Sequence, residues 1–295
     1  MVKYTKYEIF CSNINIAVIL FRGLLMNDKI KILLVTANEN ETNALLNDKT
    51  FTYEDDRSAD PNDTTYYRVG TYGHYDVVHF ELNAQGSVNS ESAILAVYTA
   101  IREYGPDAVI LVGIAFGKGS DNEKDSGQKI GTVLISEKVA DYESGKIKDQ
   151  KIQSDGAIPE AGPQLLSAFK HYSKTWDCEI ENVKMNCEFG MMLSGDKCVD
   201  DPEFKKILFS RYPRAIGGEM EGRGAYAACR RNNINEWIII KAICDWGDGS
   251  KSEDKEHRQK IAAESAVSLL HHLFNNRQSF EKIPKLNQKK KMMNF

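Results

Sequence analysis

A chain of 295 residues, 42% hydrophobic and 27% charged, has the make-up of a globular protein and can bury a sizeable core in one large domain or two small ones. Its formal net charge of −4 gives no electrostatic signature for a nucleic-acid partner. The cysteines at positions 11, 178, 187, 198, 229 and 244 show neither CxxC nor a Cys/His zinc spacing, which argues against a zinc module or disulfide scaffold and for reduced thiols in the cytoplasm.

The first 26 residues contain the apolar stretch INIAVILFRGLLM, interrupted by Arg22 and too short to span a bilayer. No small-residue cleavage site follows it, so an N-terminal extension docked on the domain is expected, with no membrane partner. KIKILLVTA then reads as a strand, and YYRVGTYGHYDVVHFEL as two strands around Gly70 and Gly73. In SVNSESAILAVYTAIREYG, Ile94, Val97, Ile101 and Tyr104 recur at helical spacing, and Gly105-Pro106 ends the helix. DAVILVG and GTVLISEKVA are further strands, and GSDNEKDSGQK is a polar loop. PEFKKILFSRY and GEMEGRGAYAACRRNN look helical, WIIIKAIC is a buried strand, and a last helix carries Ala262, Ala266, Leu269 and Leu273 on one face. Strands alternating with helices predict an α/β domain with a central mixed sheet over residues 27–276, followed by a basic tail, 277–295.

Chemistry-bearing residues gather where predicted strands end, which is where open α/β sheets place ligands. VTANENETNALL puts Glu39 and Glu41 after the first strand. LVGIAFGKG follows a buried strand with Gly113, Gly117 and Gly119, GGEMEGRGAYAA carries Glu219 and Glu221, and CDWGDG ends the last strand at Asp245. Each has a plain structural reading as well. Acids at a helix start complement its dipole, and Asp beside Gly forms turns. The glycine cluster lacks the Lys-Ser/Thr of a P-loop.

Taken in order, the E-x-E after the first strand, NAQGSVNS, VGIAFG, GTVLISEKV, LSGDKCV, GEMEG and KAICDWGD resemble the nucleoside phosphorylase superfamily. Within it the chain is most similar to the methylthioadenosine/S-adenosylhomocysteine nucleosidases and to related nucleosidase domains of bacterial immune proteins, which brings an antiviral setting into view. The resemblance implies a three-layer α/β/α sandwich whose mixed sheet curls into a partial barrel. It also implies a purine nucleoside or nucleotide as ligand, water as co-substrate and a homo-oligomer.

Cleaving a ribose–purine bond develops positive charge on the sugar and negative charge on the departing base. The base therefore needs an acid, and the attacking water needs a base on the opposite sugar face. By the resemblance Asp245 is the general acid, Glu41 polarises water, Glu219 neighbours that site, and Lys241 stands where an arginine is common and holds Glu41 ionised. Glu221 accepts from the ribose hydroxyls, with Met220 packed under the sugar. Val199 reads the purine edge and Asp196 supports that loop. Gly113, Ile114 and Ala115 line the sugar side, Ile114 replacing a hydroxyl residue common in the hydrolases. Cys198 occupies a position where an aromatic residue usually stacks on the base, which moves the expected stacking to Phe189 or Trp246. Lys118 and Arg223 are candidates to face a 5′-phosphate chain.

The expected activity is hydrolysis of the N-glycosidic bond of adenine nucleosides or nucleotides, ATP and dATP included, with no cofactor and no metal beyond magnesium accompanying a triphosphate. The alternatives are phosphate-dependent phosphorolysis and a non-catalytic nucleoside-binding module. Against phosphorolysis, VILVG lacks the cation or hydroxyl that a phosphate site would use there.

Overall fold

The structure, a computed structural model, describes residues 29–58, 64–82, 93–119, 127–148, 151–154, 158–249 and 254–286. The expected extension at 1–26, the NAQGSVNS loop, most of GSDNEKDSGQK and the end of the basic tail lie outside them.

The chain opens with β1 (Lys31–Thr36), α1 (Glu39–Leu46), β2 (Phe51–Arg57), β3 (Tyr66–Tyr72) and β4 (Tyr75–Glu81). It continues through α2 (Ala93–Tyr104), β5 (Ala108–Gly117), β6 (Val133–Asp141) and the two-stranded flap β7 (Gly145–Lys148) and β8 (Lys151–Ser154). Then come α3 (Pro163–Tyr172), the short pair β9 (Glu179–Ile180) and β10 (Val183–Lys184), β11 (Cys187–Ser194) and α4 (Pro202–Arg211). The order ends with β12 (Ala215–Glu219), α5 (Gly222–Arg231), β13 (Trp237–Asp245) and α6 (Lys255–Phe274).

Nine strands form one mixed sheet in the order β12-β11-β6-β13-β5-β1-β4-β3-β2, and β12 also pairs with β5, which curls one end into a partial barrel. Two glycines permit that closure. A Cβ on Gly217 would stand 2.6 Å from the Phe116 carbonyl oxygen, and one on Gly218 would stand 2.4 Å from the Phe116 ring. Backbone can approach backbone this closely only where no side chain intervenes. The antiparallel pairs Gly217–Gly117 and Gly218–Phe116 form there.

β13 lies between β5 and β6, and all nine of its residues are buried. Being covered on both faces explains its near-continuous apolar run. Ile238, Ile240 and Ala242 join one core cluster with α6, while Trp237, Ile239 and Ile243 join the other with α5 and α2. The period of two thus assigns alternate residues to opposite layers. Ala262, Ala266, Leu269 and Leu273 are fully buried, as the spacing of the last helix predicts. Among the described residues no helix is long and apolar enough to cross a membrane.

The expectation for GEMEGRGAYAACRRNN is corrected: residues through Glu219 are the end of strand β12, and the helix begins only at Gly222. The acids and glycines there carry no apolar signal, so the boundary is set by sheet pairing with β11 and β5. Strands β2 and β11 and helix α3 went unread. FTYEDDR is a charged edge strand with one buried residue, a composition that lacks the strand alternation.

Candidate active site

The site begins with the N-terminus of α1. Asn38 caps the helix, its side chain accepting from the Glu41 N–H at 3.1 Å. The Glu41 carboxylate folds back to accept from the Ala37 N–H at 2.5 Å, a reciprocal arrangement akin to a capping box. Its other oxygen accepts from the Ile114 N–H on β5 at 2.8 Å. Gly113 makes this possible, because a Cβ there would lie 2.0 Å from the Glu41 carboxyl carbon. Glu41 therefore complements the helix start and is also pinned against the middle of the sheet.

Lys241 arrives from β13, opposite Gly113 in register. Its ammonium sits 3.2 Å from Glu41 Oε1 and 3.4 Å from Glu221 Oε2, with the residue 1% exposed. Burial pushes the Glu41 pKa up; Lys241 and the two backbone N–H groups oppose this without cancelling it. Burial by itself would lower the Lys241 pKa, but Glu41, Glu221 and Glu219 outweigh it and hold the ammonium charged.

Glu221 is the N-cap residue of α5, and Glu219 sets the turn that presents it. Glu219 Oε2 accepts from the N–H groups of Glu221 at 2.9 Å and Gly222 at 2.8 Å, while its buried Oε1 meets no hydrogen-bond geometry among the described residues. Burial, with the neighbouring Glu221 charge, pushes the Glu219 pKa up to about 7.

Asp245 enters from the carboxyl end of β13. The register there skips from Ile243–Ala115 to Asp245–Phe116, a bulge that places Cys244 and Asp245 both on the cavity wall. Asp245 Oδ1 accepts from the Gly247 N–H at 3.0 Å, and the Cys244 thiol stands 3.2 Å from Oδ2. Gly247 and Gly249 both have positive φ, so the Gly-Asp-Gly shapes the turn after the strand.

Glu41, Glu219, Glu221 and Asp245 line one cavity, together with Met220, Ile114, Ala115, Cys198 and Val199. It is a cleft of about 690 Å³ with its open, solvent-filled mouth included. Ala37, Asn38, Phe116, Lys197, Gly218, Cys244, Lys255 and Gln259 complete the wall and were not singled out from the sequence. Asn38 was readable as a helix cap from its position three residues before Glu41. Lys255 and Gln259 gave no local signal, since α6 approaches the site only in the folded chain. Among the described residues no group of three or more His, Cys, Asp or Glu side chains is placed to hold a metal ion.

Five expected ligand contacts are not on this wall. Trp246 is 1% exposed and packs in the core against Gly117. Phe189 packs on the α3/α6 core, with the Lys170 ammonium over its ring. The Lys118 ammonium donates to the Pro213 carbonyl at 2.8 Å and lies over Phe209. Arg223 pairs with Asp141 at 3.3 Å, with Glu143 at 3.4 Å and with Asp196. Asp196 lies in the loop that carries Cys198 and Val199, so this pairing ties α5 to that loop. Gly113 contributes no cavity surface; it seats Glu41.

Residues 31–275 match the family model described as the Phosphorylase superfamily, and the chain belongs to that family. It is 29% identical over 273 residues to a death domain-containing ATP nucleosidase of Amphimedon queenslandica, matching 84% of this chain and spanning about half, 49%, of that relative. It is 23% identical to a 5′-methylthioadenosine/S-adenosylhomocysteine nucleosidase of Staphylococcus epidermidis, over 69% of this chain and 85% of that one. A solved nucleosidase of the same name from Colwellia psychrerythraea 34H, in complex with adenine, superposes with a TM-score of 0.68 at 20% identity, covering 84% of this chain and 95% of that one. That likeness establishes the nucleoside phosphorylase-like α/β/α fold.

Proposed function

We propose that the protein is a purine N-glycosidase that uses water to release the base from adenine nucleosides or nucleotides. The observation that carries this reading is the shared cavity of Glu41 and Asp245, with Lys241 tying Glu41 to Glu221 between them. Glu41, with its pKa raised by burial, is suited to take a proton from water. Glu221 accepts from ribose hydroxyls, and its buried charge stabilises the cationic sugar as the bond breaks. Asp245 hands a proton to the leaving purine, beside Val199 and Cys198 at the base end. The relatives named as nucleosidases support the same chemistry.

Hydrolysis is favoured over phosphorolysis for an electrostatic reason. A phosphate beside the sugar would face Glu41 and Glu221, and Lys241, the cation nearest to them, already serves both. The Amphimedon queenslandica relative, named as an ATP nucleosidase, makes ATP the leading nucleotide candidate. Self-association, proposed on family likeness, is read by sedimentation.

The test is base release from methylthioadenosine, adenosine and ATP, with and without phosphate. Phosphate-independent release of adenine is expected; strict phosphate dependence with ribose 1-phosphate formed would replace this reading by phosphorolysis. Asp245→Asn is expected to lower turnover about 10²-fold or more, with ligand affinity little changed. Turnover unaffected by that substitution would move the general acid elsewhere, and a wild type that binds the nucleoside but releases no base would leave a binding module as the better account.

A further inference from the structure

Beside the cavity a second, open one lies between α1 and the first turns of α6, about 1290 Å³ with its solvent mouth included, and Asn38, Lys255 and Gln259 line both. These three stand at the sugar end. Asn38 accepts from the Glu41 N–H at 3.1 Å, and Asn40 donates to Gln259 at 2.9 Å. The base end is marked by Asp245 and Val199, which the Gly247 turn brings together: a Cβ on Gly247 would lie 3.2 Å from Val199. A group that leaves ribose away from the base therefore meets Asn38, Lys255 and Gln259.

Lys197 and Lys255 line the first cavity, Lys255 and Lys260 the second, and Lys241 stands behind the first, paired with two of its carboxylates. Lys241 is committed to Glu41 and Glu221, and Lys197 to Glu143. Lys255 is exposed and has no carboxylate partner among the described residues. We infer that Lys255 reads the 5′ substituent of the substrate, and that this substituent is anionic at the atom group next to the sugar, as in a 5′-phosphate ester. The inference rests on the N-glycosidase reading above. Beyond Lys255 the second cavity is lined by amides of Asn40, Asn43 and Asn47, by Lys260 engaged with Glu264 at 3.9 Å, and by Glu39 and Glu256. Those two carboxylates oppose further negative charge. Recognition therefore centres on the first phosphate, and lengthening the chain adds little.

The test compares kcat/KM for adenosine, AMP and ATP in the wild type, Lys255→Glu and Lys255→Arg, with and without inorganic phosphate. Lys255→Glu is expected to lower the AMP-to-adenosine ratio about tenfold or more and to leave the ATP-to-AMP ratio nearly constant, while Lys255→Arg keeps both ratios, since a charge-assisted contact is lost only in the first. Equal changes for all three substrates would overturn the inference. So would phosphate-stimulated adenosine cleavage that Lys255→Glu abolishes, because the anion at Lys255 would then be a co-substrate. Calorimetry in an Asp245→Asn background separates the two readings. If the wild type releases no base, the glycosidase reading fails; selective weakening of AMP over adenosine by Lys255→Glu would still uphold the role of Lys255, and unselective binding would end it.

Discussion

The Lys241 ammonium lies 3.2 Å from Glu41, a residue 200 positions earlier in the chain, and the same ammonium reaches Glu221 at 3.4 Å. All three residues are at least 95% buried, so one lysine balances two carboxylates taken out of water. Removing one member of such a set leaves uncompensated charge, at a cost of roughly 3–5 kcal/mol. Lys241→Met is expected to lose about that much stability by urea denaturation, and Lys241→Met combined with Glu41→Gln and Glu221→Gln to regain part of it. A loss under ~1 kcal/mol for the single substitution would show that the network is not held as described.

Gly113 faces the Glu41 carboxyl group, which three hydrogen bonds hold in place. Gly113→Ala inserts a methyl where the carboxyl carbon now stands, 2.0 Å away. Base release is expected to fall about 10²-fold, the range for a displaced general base, while far-UV circular dichroism stays native. Unaltered kcat would place water activation elsewhere.

Glu219 supplies the pH dependence. Its folded pKa, raised to about 7 from an ordinary 4.5, means that the native state holds the proton more tightly than the unfolded chain. The resulting stability is complete below about pH 4.5 and is lost as the pH rises through about 7. The raised pKa of Glu41 acts in the same direction. Glu219→Gln retains an oxygen for the Glu221 and Gly222 N–H groups without the charge, so it should flatten the fall in stability between pH 5 and pH 8 by about 1–3 kcal/mol. Equal slopes for variant and wild type in paired denaturation series would remove Glu219 from this role.

Arg223 joins α5 to the loop of Cys198 and Val199 through Asp141, Glu143 and Asp196. Arg223→Gln should loosen the base-reading wall while leaving Glu41 and Lys241 in place. KM for an adenine nucleoside is expected to rise about tenfold with kcat changed less, a loss of ground-state positioning. A fall in kcat at constant KM would mean that the clamp acts on the chemical step.

Much of the fold is legible locally. WIIIKAIC and KIKILLVTA are buried strands because central parallel strands are apolar on both faces, and the last helix shows its core face in its spacing. The order of acids at strand ends, with the motifs between them, carried the family likeness. The edge strand FTYEDDR and the strand–helix boundary at Glu219 were not legible, because pairing with neighbouring strands decides them.

By itself the sequence determined which residue types stand at the ends of which strands, since periodicity and turn chemistry are properties of adjacent residues. Which of those side chains share a cavity was decided only by tertiary structure. The bulge at Cys244 turns Asp245 to the wall, and the following Trp246 is buried in the core. Three acids draw Arg223 into a clamp, and the packing of α6 on α1 brings Lys255 to the mouth. These outcomes depend on register, closure and charge pairing between segments up to 200 residues apart, and no local pattern encodes them.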